Sequence, residues 1–549
     1  MWESVERVDP GRAADYRTKG WWREATFLSD VARHAAARPD HPAVVAYEDD
    51  RLARELTYGE LPVLVDRFAG ALAALGVAPG DVVMPYLPNQ WMLGPLYLAC
   101  ARAGAVAAPA QPALAGREVG HILRTSAAKV CVTVDHFAGV AYAELVAKAA
   151  PRTLAHQVVI GDAAATGGID FDEFFVRTAW EDKHLPDPAA AIGPDDPALL
   201  VFTSGTTGQP KGVVHSHNTI YAAGQSLSVP FGLNADDVIS IPQFLTHVAG
   251  GMHAVFAPLV WGGTCVMHDT NDDMELLLDM TAAHHISYIH AAPAYLSRLI
   301  AAQRARPRDT RTLRLMSTSS APIPAQMITD VADVFGLQLH TCWGMTETGG
   351  CTITHPADPP DWGAHSDGRP MPWMGVKIAD ADSGTGIGRL LVRGASQCLG
   401  YLGQPDLYRA SVDADGWFDT GDMARPDGRG GIRIAGRRAD LITRATGNKV
   451  PTLEIESVLQ RHPAVAEVVL VGYPDPDVPS ADYVCAVVVS KGRAPSLADL
   501  TAHLEREQVT FEDWPDRIHV VTELPKNSLG KVMRQILRED LSKDPAQPT

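Results

Sequence analysis

The chain has 549 residues, of which 46% are hydrophobic, and a formal net charge of −18. This length exceeds what one compact core accommodates, so the sequence predicts two or more domains. The acidic balance argues against a nucleic-acid partner, which would require a basic face. The most apolar region, residues 91–114, is interrupted by an arginine and by prolines, and it predicts a buried helix and strand rather than a membrane span.

The N-terminus is polar and charged, unlike the apolar segment of a secretory signal peptide. The seven cysteines show neither paired nor metal-binding spacing. Such a pattern suits a reducing compartment, so we expect a cytoplasmic protein with free thiols.

Helices and short strands alternate along the first part of the chain. Residues 27–37 and 59–75 have the period of amphipathic helices, and residues 82–84, 130–134 and 158–160 are short apolar runs typical of buried strands. The alternation continues through most of the chain. It predicts a layered α/β fold with mostly parallel sheets.

The composition changes at the glycine-rich turn 427–431. Shorter elements follow and predict a small α+β domain. These elements are helix 453–461, strand 465–472, strand 483–490, helix 498–508 and strand 518–522. The sequence contains no internal repeat and no low-complexity tract.

The segment 203–212 is the strongest chemical signal in the chain. It follows the apolar run 198–202 and crowds hydroxyls, glycines and a lysine into one turn. Glycines let backbone N–H groups converge on an anion, hydroxyls add donors, and the lysine adds a positive charge. We therefore expect a polyphosphate site. Its candidate residues are Thr203, Ser204, Gly205, Thr206, Thr207, Gly208 and Lys211.

Two other interpretations of this loop compete with a polyphosphate site. An ordinary polar loop between two elements has a similar composition. A Walker-type phosphate loop ends in Gly-Lys-Ser/Thr, whereas here Pro210 precedes Lys211 and Gly212 follows it. The spacing therefore disfavours an ordinary P-loop NTPase.

Three further motifs follow in chain order. Residues 343–347 are Trp-Gly-Met-Thr-Glu, residues 417–422 are Trp-Phe-Asp-Thr-Gly-Asp, and residues 524–534 are Leu-Pro-Lys-Asn-Ser-Leu-Gly-Lys-Val-Met-Arg. With the phosphate loop, they resemble the adenylate-forming superfamily of acyl-CoA synthetases, peptide-synthetase adenylation domains and firefly-type luciferases. The resemblance covers nearly the whole chain. It implies a large N-terminal AMP-binding and acyl-substrate domain, residues 1–436, and a small mobile α+β lid domain, residues 437–549.

The first of these motifs resembles the family's aromatic-Gly-x-Thr-Glu sequence. The resemblance places Trp343 and Gly344 beside adenine and the hydroxyl of Thr346 at the α-phosphate. It assigns Glu347 to Mg²⁺, a hard cation that prefers oxygen ligands. The alternative for each residue alone is a buried tryptophan or a surface glutamate.

The other two motifs resemble ribose and catalytic segments of the family. The resemblance makes Asp422 an acceptor for the ribose hydroxyls and Arg437 a second ribose contact. It makes Lys531 the catalytic lysine, a cation that offsets the charge built up when a carboxylate attacks the α-phosphorus. The alternatives are a turn aspartate, a surface arginine and a solvated loop lysine.

Two segments resemble the family's acyl pocket. Residues 319–322 stand where the family has Gly-Gly-Ala-Pro, with two serines in place of two glycines, and residues 244–251 carry a histidine expected beside the substrate carboxylate. A lone histidine on an apolar helix is alternatively a core residue. The expected acyl-pocket residues are His247, Gly250, Gly251, Ser319 and Gly349, and the expected nucleotide contacts here are Ser320, Ala321 and Pro322.

The hinge and the following loop depart from the family pattern. Ala439 stands where the family has a hinge Asp or Lys, and Asp440 follows one position later. The loop that contains Gly447 and Lys449 is one residue longer than in the family, where it reaches the active site during thioester formation. We hypothesise intact adenylation with a weak, slow or delegated thioester step, because near-attack geometry tolerates little error. The alternative is that the loop shifts by one residue and functions normally.

The resemblance implies a two-step reaction. A carboxylate and Mg·ATP give an acyl adenylate and pyrophosphate, and the thiol of CoA or of a carrier then displaces AMP. The expected cofactors are ATP, Mg²⁺ and CoA. The expected partners are a small-molecule carboxylic acid and an acceptor, which is CoA, a carrier protein or a partner ligase. Homodimers are common among the relatives that the chain resembles, so the resemblance also implies a homodimer.

The identity of the acid is not encoded in these motifs. Small and apolar pocket candidates favour a bulky apolar acid of alicyclic, aryl or terpenoid type, and the loop resembles that of a diterpenoid-pathway acyl-CoA synthetase of the platensimycin type. The alternatives to CoA ligation are an enzyme that only adenylates and a degenerate nucleotide-binding protein. Intact Lys211, Glu347, Asp422 and Lys531 argue against the last alternative.

Overall fold

The structure is a computed structural model that describes residue 2 and the ranges 5–203, 210–270, 273–321, 323–446, 449–474, 481–526 and 532–543. The α-helices in these ranges lie in both the large N-terminal part and the small C-terminal part. They are Pro10–Thr18, Phe27–Ala37, Leu61–Ala74, Leu93–Arg102, Gly116–Ser126, Tyr142–Ala149, His217–Ser228, Val248–Gly250, Ala257–Trp261, Met274–His284, Pro293–Ala305, Ala325–Phe335, Pro405–Ala410, Thr452–Leu459, Leu497–Arg506 and Arg534–Lys543. None of these described helices combines the length and the hydropathy that crossing a membrane requires.

Two large mixed sheets dominate the N-terminal part. The first has a parallel centre with antiparallel strands at both ends. Its order is Arg369–Pro370, Gly349–Ile353, Leu339–Met345, Leu315–Thr318, Tyr288–His290, Val238–Ser240, Thr264–His268, Pro42–Glu48 and Arg51–Thr57. Neighbouring residues such as Val44 and Val45 belong to different core clusters, so this sheet is covered on both faces.

The second large sheet is also parallel except at one edge. Its order is Gly400–Tyr401, Gly212–Ser216, Pro197–Phe202, Val106–Ala107, Val82–Tyr86, Val130–Val134, His156–Ile160 and Ile169–Asp170. The phosphate loop joins its Pro197–Phe202 and Gly212–Ser216 strands, which pair antiparallel. The apolar strand predicted before that loop is therefore confirmed.

Smaller sheets complete the fold. An antiparallel sheet of Met374–Ala379, Gly388–Gly394, Phe418–Pro426 and Ile432–Arg437 ends at the expected hinge. Short hairpins pair His136–Phe137 with Val140–Ala141 and Ile442–Thr443 with Lys449–Val450. The C-terminal sheet contains Val465–Pro474, Asp482–Ser490 and Arg517–Val521. The predicted α/β class with mostly parallel sheets and a small α+β C-terminal domain is confirmed.

The first large sheet determines where polar side chains can meet. Strands Tyr288–His290, Leu315–Thr318 and Leu339–Met345 are consecutive parallel neighbours. The carboxyl ends of parallel strands lie at one edge of a sheet, which is where α/β proteins bind ligands. Residues at and just after these three ends, including His290, Ser319 and Trp343, are therefore brought to the same edge.

A buried ion pair holds the C-terminal part together. Arg534 Nη2 donates to Glu456 Oε1 at 2.7 Å and to Oε2 at 2.8 Å, and Glu456 Oε1 also accepts from the Leu470 backbone N–H at 2.7 Å. Burial raises the pKa of Glu456, and the Arg534 charge opposes that shift. The pair connects the first helix of the domain, its first long strand and its last helix.

We predict that Arg534→Met lowers the free energy of unfolding of the C-terminal part by about 3 kcal/mol, because the change leaves a buried carboxylate unpaired. Hydrogen exchange of the Val465–Pro474 and Asp482–Ser490 strands, followed by mass spectrometry at increasing denaturant concentration, measures this. The matched control is Arg461→Met, which removes an exposed pair with Glu507 and is expected to cost less than about 1 kcal/mol. Equal effects for the two variants would contradict the prediction.

Candidate active site

A cavity of about 280 Å³ opens at the shared sheet edge. Its walls come from the phosphate-loop strands, the segment after Leu315–Thr318, and the Leu339–Met345 strand. The cavity brings together many of the residues predicted from sequence. They are Thr203, Lys211, His247, Ser319, Ser320, Trp343, Gly344, Thr346, Glu347, Gly349 and Arg437.

Two hydrogen bonds join the two ends of the phosphate loop. The Thr203 N–H donates to the Lys211 carbonyl at 3.0 Å, and the Lys211 N–H lies 3.3 Å from the Thr203 hydroxyl. These hydrogen bonds hold the two ends of the loop together and place the Thr203 and Lys211 side chains at the cavity wall. The intervening candidates lie outside the described residues and stay predictions. They are Ser204, Gly205, Thr206, Thr207 and Gly208.

An acidic residue beside the cavity is held by two cavity residues. Asp422 is 5% exposed; its Oδ1 lies 2.9 Å from Arg437 Nε, and its Oδ2 accepts from the Trp343 indole N–H at 3.1 Å. Asp422 and Arg437 are also cross-strand partners in the antiparallel sheet. These contacts orient the Asp422 carboxylate at the edge of the cavity, and its predicted contact with the ribose hydroxyls stays a prediction.

Glu347 is a buried carboxylate at the cavity wall, 5% exposed. Its Oε1 accepts from the Tyr401 hydroxyl at 2.7 Å, and Lys211 Nζ lies 4.9 Å from the centre of the same Tyr401 ring. Burial raises the pKa of Tyr401 far above its ordinary value, so the phenol remains a donor. No motif in the sequence marks Tyr401, which lies 54 positions after Glu347.

The chemistry of this donor set fits a magnesium ion bound together with phosphates. No hydrogen bond to Glu347 Oε2 is found within the described ranges, and the described residues hold no cluster of three or more His, Cys, Asp or Glu side chains suited to a metal. Mg²⁺ is typically held by one or two carboxylates plus substrate phosphates rather than by a protein cage. Glu347 is suited to that role.

A second residue that the sequence analysis missed supports Thr346. His215 Nε2 donates to the Thr346 carbonyl at 2.8 Å, and its Nδ1 lies 3.0 Å from the Thr219 hydroxyl. Burial lowers the pKa of His215 to about 4, so the ring is neutral and its tautomer is set by these contacts. His215 thereby fixes the backbone that carries Thr346 and Glu347.

The serine segment has an unusual backbone. Ser319 and Ser320 line the cavity, and their hydroxyl oxygens lie 3.2 Å apart. Ser320 has φ +77°, a left-handed conformation that favours glycine. A glycine, which the family has at this position, would be unstrained here, whereas the serine is strained. Ala321 is exposed and does not line the cavity, and Pro322 lies outside the described residues.

His247 lies at the cavity as expected. It caps the short helix Val248–Gly250, and its Nδ1 accepts from the Ala249 N–H at 3.3 Å. Gly250 and Gly251 do not line the cavity, and their expected acyl-pocket role stays a prediction. A Cβ on Gly250 would lie 2.6 Å from the Phe244 carbonyl oxygen, so close backbone packing accounts for this glycine.

Two histidines that the sequence analysis overlooked complete the wall beside His247. His253 and His290 both line the cavity, and their ring centres lie 6.2 Å apart. His290 ends the buried strand Tyr288–His290, where no motif marks it. His253 lies in a π-helical turn, Gly251–Phe256. Such turns are frequent at functional sites, but sequence patterns do not reveal them.

The predicted hinge and thioester-loop residues lie away from the cavity in this structure. Ala439 is exposed, Asp440 lies 3.8 Å from Arg534, and Lys449 belongs to a short hairpin. None of the three lines the cavity. Gly447 and Lys531 lie outside the described residues, so their predicted roles stay predictions.

Comparison with known proteins gives the chain a family. The AMP-binding enzyme model matches residues 31–402, and the AMP-binding enzyme C-terminal domain model matches residues 454–531. The chain is 31% identical to the salicyl-AMP ligase / salicyl-S-ArCP synthetase of Mycobacterium tuberculosis, over 96% of this chain and 93% of that protein. It is 31% identical to an octahydro-indenyl propanoyl:CoA ligase of the same organism, over 91% of this chain and 96% of that protein.

A solved structure shares the whole fold. ATP-bound MatB from Rhodopseudomonas palustris matches with a TM-score of 0.80 and 26% sequence identity, over 94% of this chain and 99% of that chain. The resemblance inferred from the motifs is confirmed, because both family models match in the expected order. The chain belongs to the AMP-binding enzyme family of adenylate-forming enzymes, and it is an AMP-forming acid–thiol ligase.

Proposed function

We propose that this enzyme uses Mg·ATP to convert a bulky, largely apolar carboxylic acid into an acyl adenylate and then transfers the acyl group to CoA. One observation carries the proposal. A single cavity holds Lys211, Thr346, Glu347 and Arg437 together with the predicted acyl-pocket residue His247. Phosphate-binding groups and a pocket for an acid are therefore adjacent, as attack on an α-phosphate requires.

The first step joins two anions. A carboxylate oxygen of the acid attacks the α-phosphorus in line with the departing pyrophosphate, which carries away the electron pair of the broken P–O bond. Lys211 and Arg437 offset charge at the cavity, and Lys531 is the proposed third cation. Mg²⁺, held through Glu347, would neutralise phosphate charge. The Thr346 hydroxyl is the proposed donor to the α-phosphate.

The proposed acid class follows from the remaining wall. Leu227, Val248, Ala249 and Met345 line the same cavity and present apolar surface. Burial of an apolar ring against such side chains contributes roughly 25 cal/mol per Å². The similarity to an octahydro-indenyl propanoyl:CoA ligase also supports a fused-ring or other alicyclic acid.

A second candidate is adenylation followed by transfer to a carrier protein or through a partner ligase. The thioester loop favours it, because Arg444 holds this loop against the C-terminal sheet. Arg444 Nη1 donates to both Asp516 oxygens at 2.8 Å, and its Nε donates to the Glu512 carbonyl at 2.6 Å. Because Arg444 fixes the start of the loop, the extra residue would shift the rest of the loop. That shift would misplace the path by which the thiol reaches the acyl adenylate. One similar protein is a salicyl-S-ArCP synthetase.

Acid-dependent pyrophosphate–ATP exchange tests the proposal. A panel of alicyclic, aryl, terpenoid and fatty acids is assayed with and without CoA. Exchange with at least one acid, followed by a CoA thioester detected by mass spectrometry, is the expected result. Exchange without thioester formation would select the second candidate, and no exchange with any acid would overturn both.

Lys531→Ala should reduce acid-dependent exchange by a factor of about 100 or more, because a cation facing the pentacoordinate phosphorus is lost. ATP affinity, measured by calorimetry, should change less than about threefold, since other groups hold the nucleotide. Lys526→Ala is the matched control, because Lys526 pairs with Glu467 at 2.6 Å instead. Unchanged exchange in Lys531→Ala would refute its assigned role.

Tyr401→Phe should raise the Mg²⁺ concentration needed for half-maximal exchange about tenfold, since Glu347 loses the donor that orients it. The ring beside Lys211 is kept, so the effect reports on the hydroxyl. Tyr408→Phe is the control, because that hydroxyl contacts Gln397 and the Cys398 carbonyl instead of Glu347. Identical Mg²⁺ dependence in both variants would contradict a role for Tyr401 in positioning Glu347.

Deletion of Ala445 tests whether loop length limits thioester formation. Under the second candidate, the shortened loop should form CoA thioester several times faster while the exchange rate stays the same, because only the thiol path is corrected. Ala445→Gly keeps the length and should leave both rates unchanged. A loss of thioester formation on deletion would show that the native length already serves CoA.

A further inference from the structure

The cavity contains a polar patch inside its apolar wall. His253, His290 and Ser319 line it on the side that also holds His247. None of these residues belongs to the phosphate-binding set described above. A pocket for a plain hydrocarbon acid needs no such groups, so their hydrogen-bonding state indicates what the acid carries.

His253 presents a ring nitrogen without a partner. The residue is 5% exposed, and its Nδ1 is buried without a hydrogen-bond partner in the part of the chain that the structure describes. A hydroxyl group can satisfy this nitrogen in either tautomer of the ring, because a hydroxyl both donates and accepts.

His290 belongs to a chain of hydroxyl contacts that leads to the cavity. Tyr288 and His290 Nδ1 each lie 2.7 Å from the Ser317 hydroxyl oxygen, and His290 Nε2 lies 3.1 Å from the Ser319 hydroxyl oxygen. Ser319 thus ends a chain of hydrogen bonds that begins at Tyr288, and its hydroxyl oxygen also lies 3.2 Å from that of Ser320 at the cavity wall.

These groups are uncharged at neutral pH. Burial lowers the pKa of His253 to about 4 and that of His290 to about 3. A neutral wall gives no counter-charge to a second carboxylate or an ammonium group on the acid. A methyl or methylene group would leave His253 Nδ1 unpaired, which is unfavourable in a buried site.

From this arrangement we infer that the acid bound here carries a hydroxyl group on its apolar body, which forms hydrogen bonds with His253 Nδ1 and with the Ser319 hydroxyl. The inference rests on the proposed function, because it treats this cavity as the acyl pocket. His253 and Ser319 line the same cavity, and the ring centre of His253 lies 6.2 Å from that of His290, the hydrogen-bond partner of Ser319. His253 is then a residue that determines specificity.

The test compares acids that differ only in a hydroxyl or a methyl group. Benzoic and cyclohexanecarboxylic acids, each with hydroxyl or methyl at every ring position, are measured by calorimetric binding and by pyrophosphate–ATP exchange. The wild type should prefer one hydroxylated acid over its methyl analogue by about tenfold or more. In His253→Phe this ratio should fall to about one, with binding of the methyl analogue maintained or improved.

Two further variants keep the test decisive. His253→Gln can still accept a hydrogen bond and should retain most of the hydroxyl preference, even if His253→Phe is poorly folded. His217→Phe is the matched control, because His217 is buried against Phe27, lies outside the cavity lining and should leave the ratio unchanged. Equal binding of hydroxyl and methyl acids by the wild type, or a preference that survives His253→Phe, would overturn the inference. Hydroxyl-selective binding without exchange would instead sustain the inference and refute the proposed function.

Discussion

Repulsion between a carboxylate and a triphosphate is the constraint that the candidate site must overcome. The chain as a whole carries a net charge of −18, so its long-range field opposes both substrates. The local arrangement counters this field, because Glu347 is bonded to Tyr401 and Asp422 to Arg437 and Trp343. With its acidic groups engaged by donors, the cavity can present cations and dipoles to two anions.

The same sheet edge also fixes how the two substrates face each other. The strands that end near His290, Ser319 and Trp343 are neighbours in parallel register, so the acyl wall and the nucleotide wall are parts of one rigid element. Side chains on sheet strands are placed more precisely than side chains on loops. Groups at this edge, His290 and Trp343 among them, are therefore positioned by the core of the sheet.

The sequence was most informative where function lies in contiguous motifs. The helix at Phe27–Ala37 and the strand at Val130–Val134 were predicted with their observed bounds, and the motif residues Lys211 and Glu347 do meet at one cavity. Tyr401 and His253 were missed, because their contacts join distant segments or depend on a π-helical turn. The acyl-pocket role of Gly250 stays a prediction, because a small residue can serve backbone packing as well as a ligand, and its close approach to Phe244 shows the packing role.

The contacts of the two serines that replace the family's glycines show what the hydroxyl groups contribute. Ser320 adopts φ +77°, where a side chain costs about 1 kcal/mol or more relative to glycine. Backbone geometry alone would therefore favour the family's glycine. What serine adds is hydroxyl groups, and the Ser319 hydroxyl continues the contacts of His290 to the cavity surface. A strained residue that extends a buried polar chain is the pattern of a site that discriminates between ligands by leaving wrong ones unpaired, rather than by attracting the right one with charge.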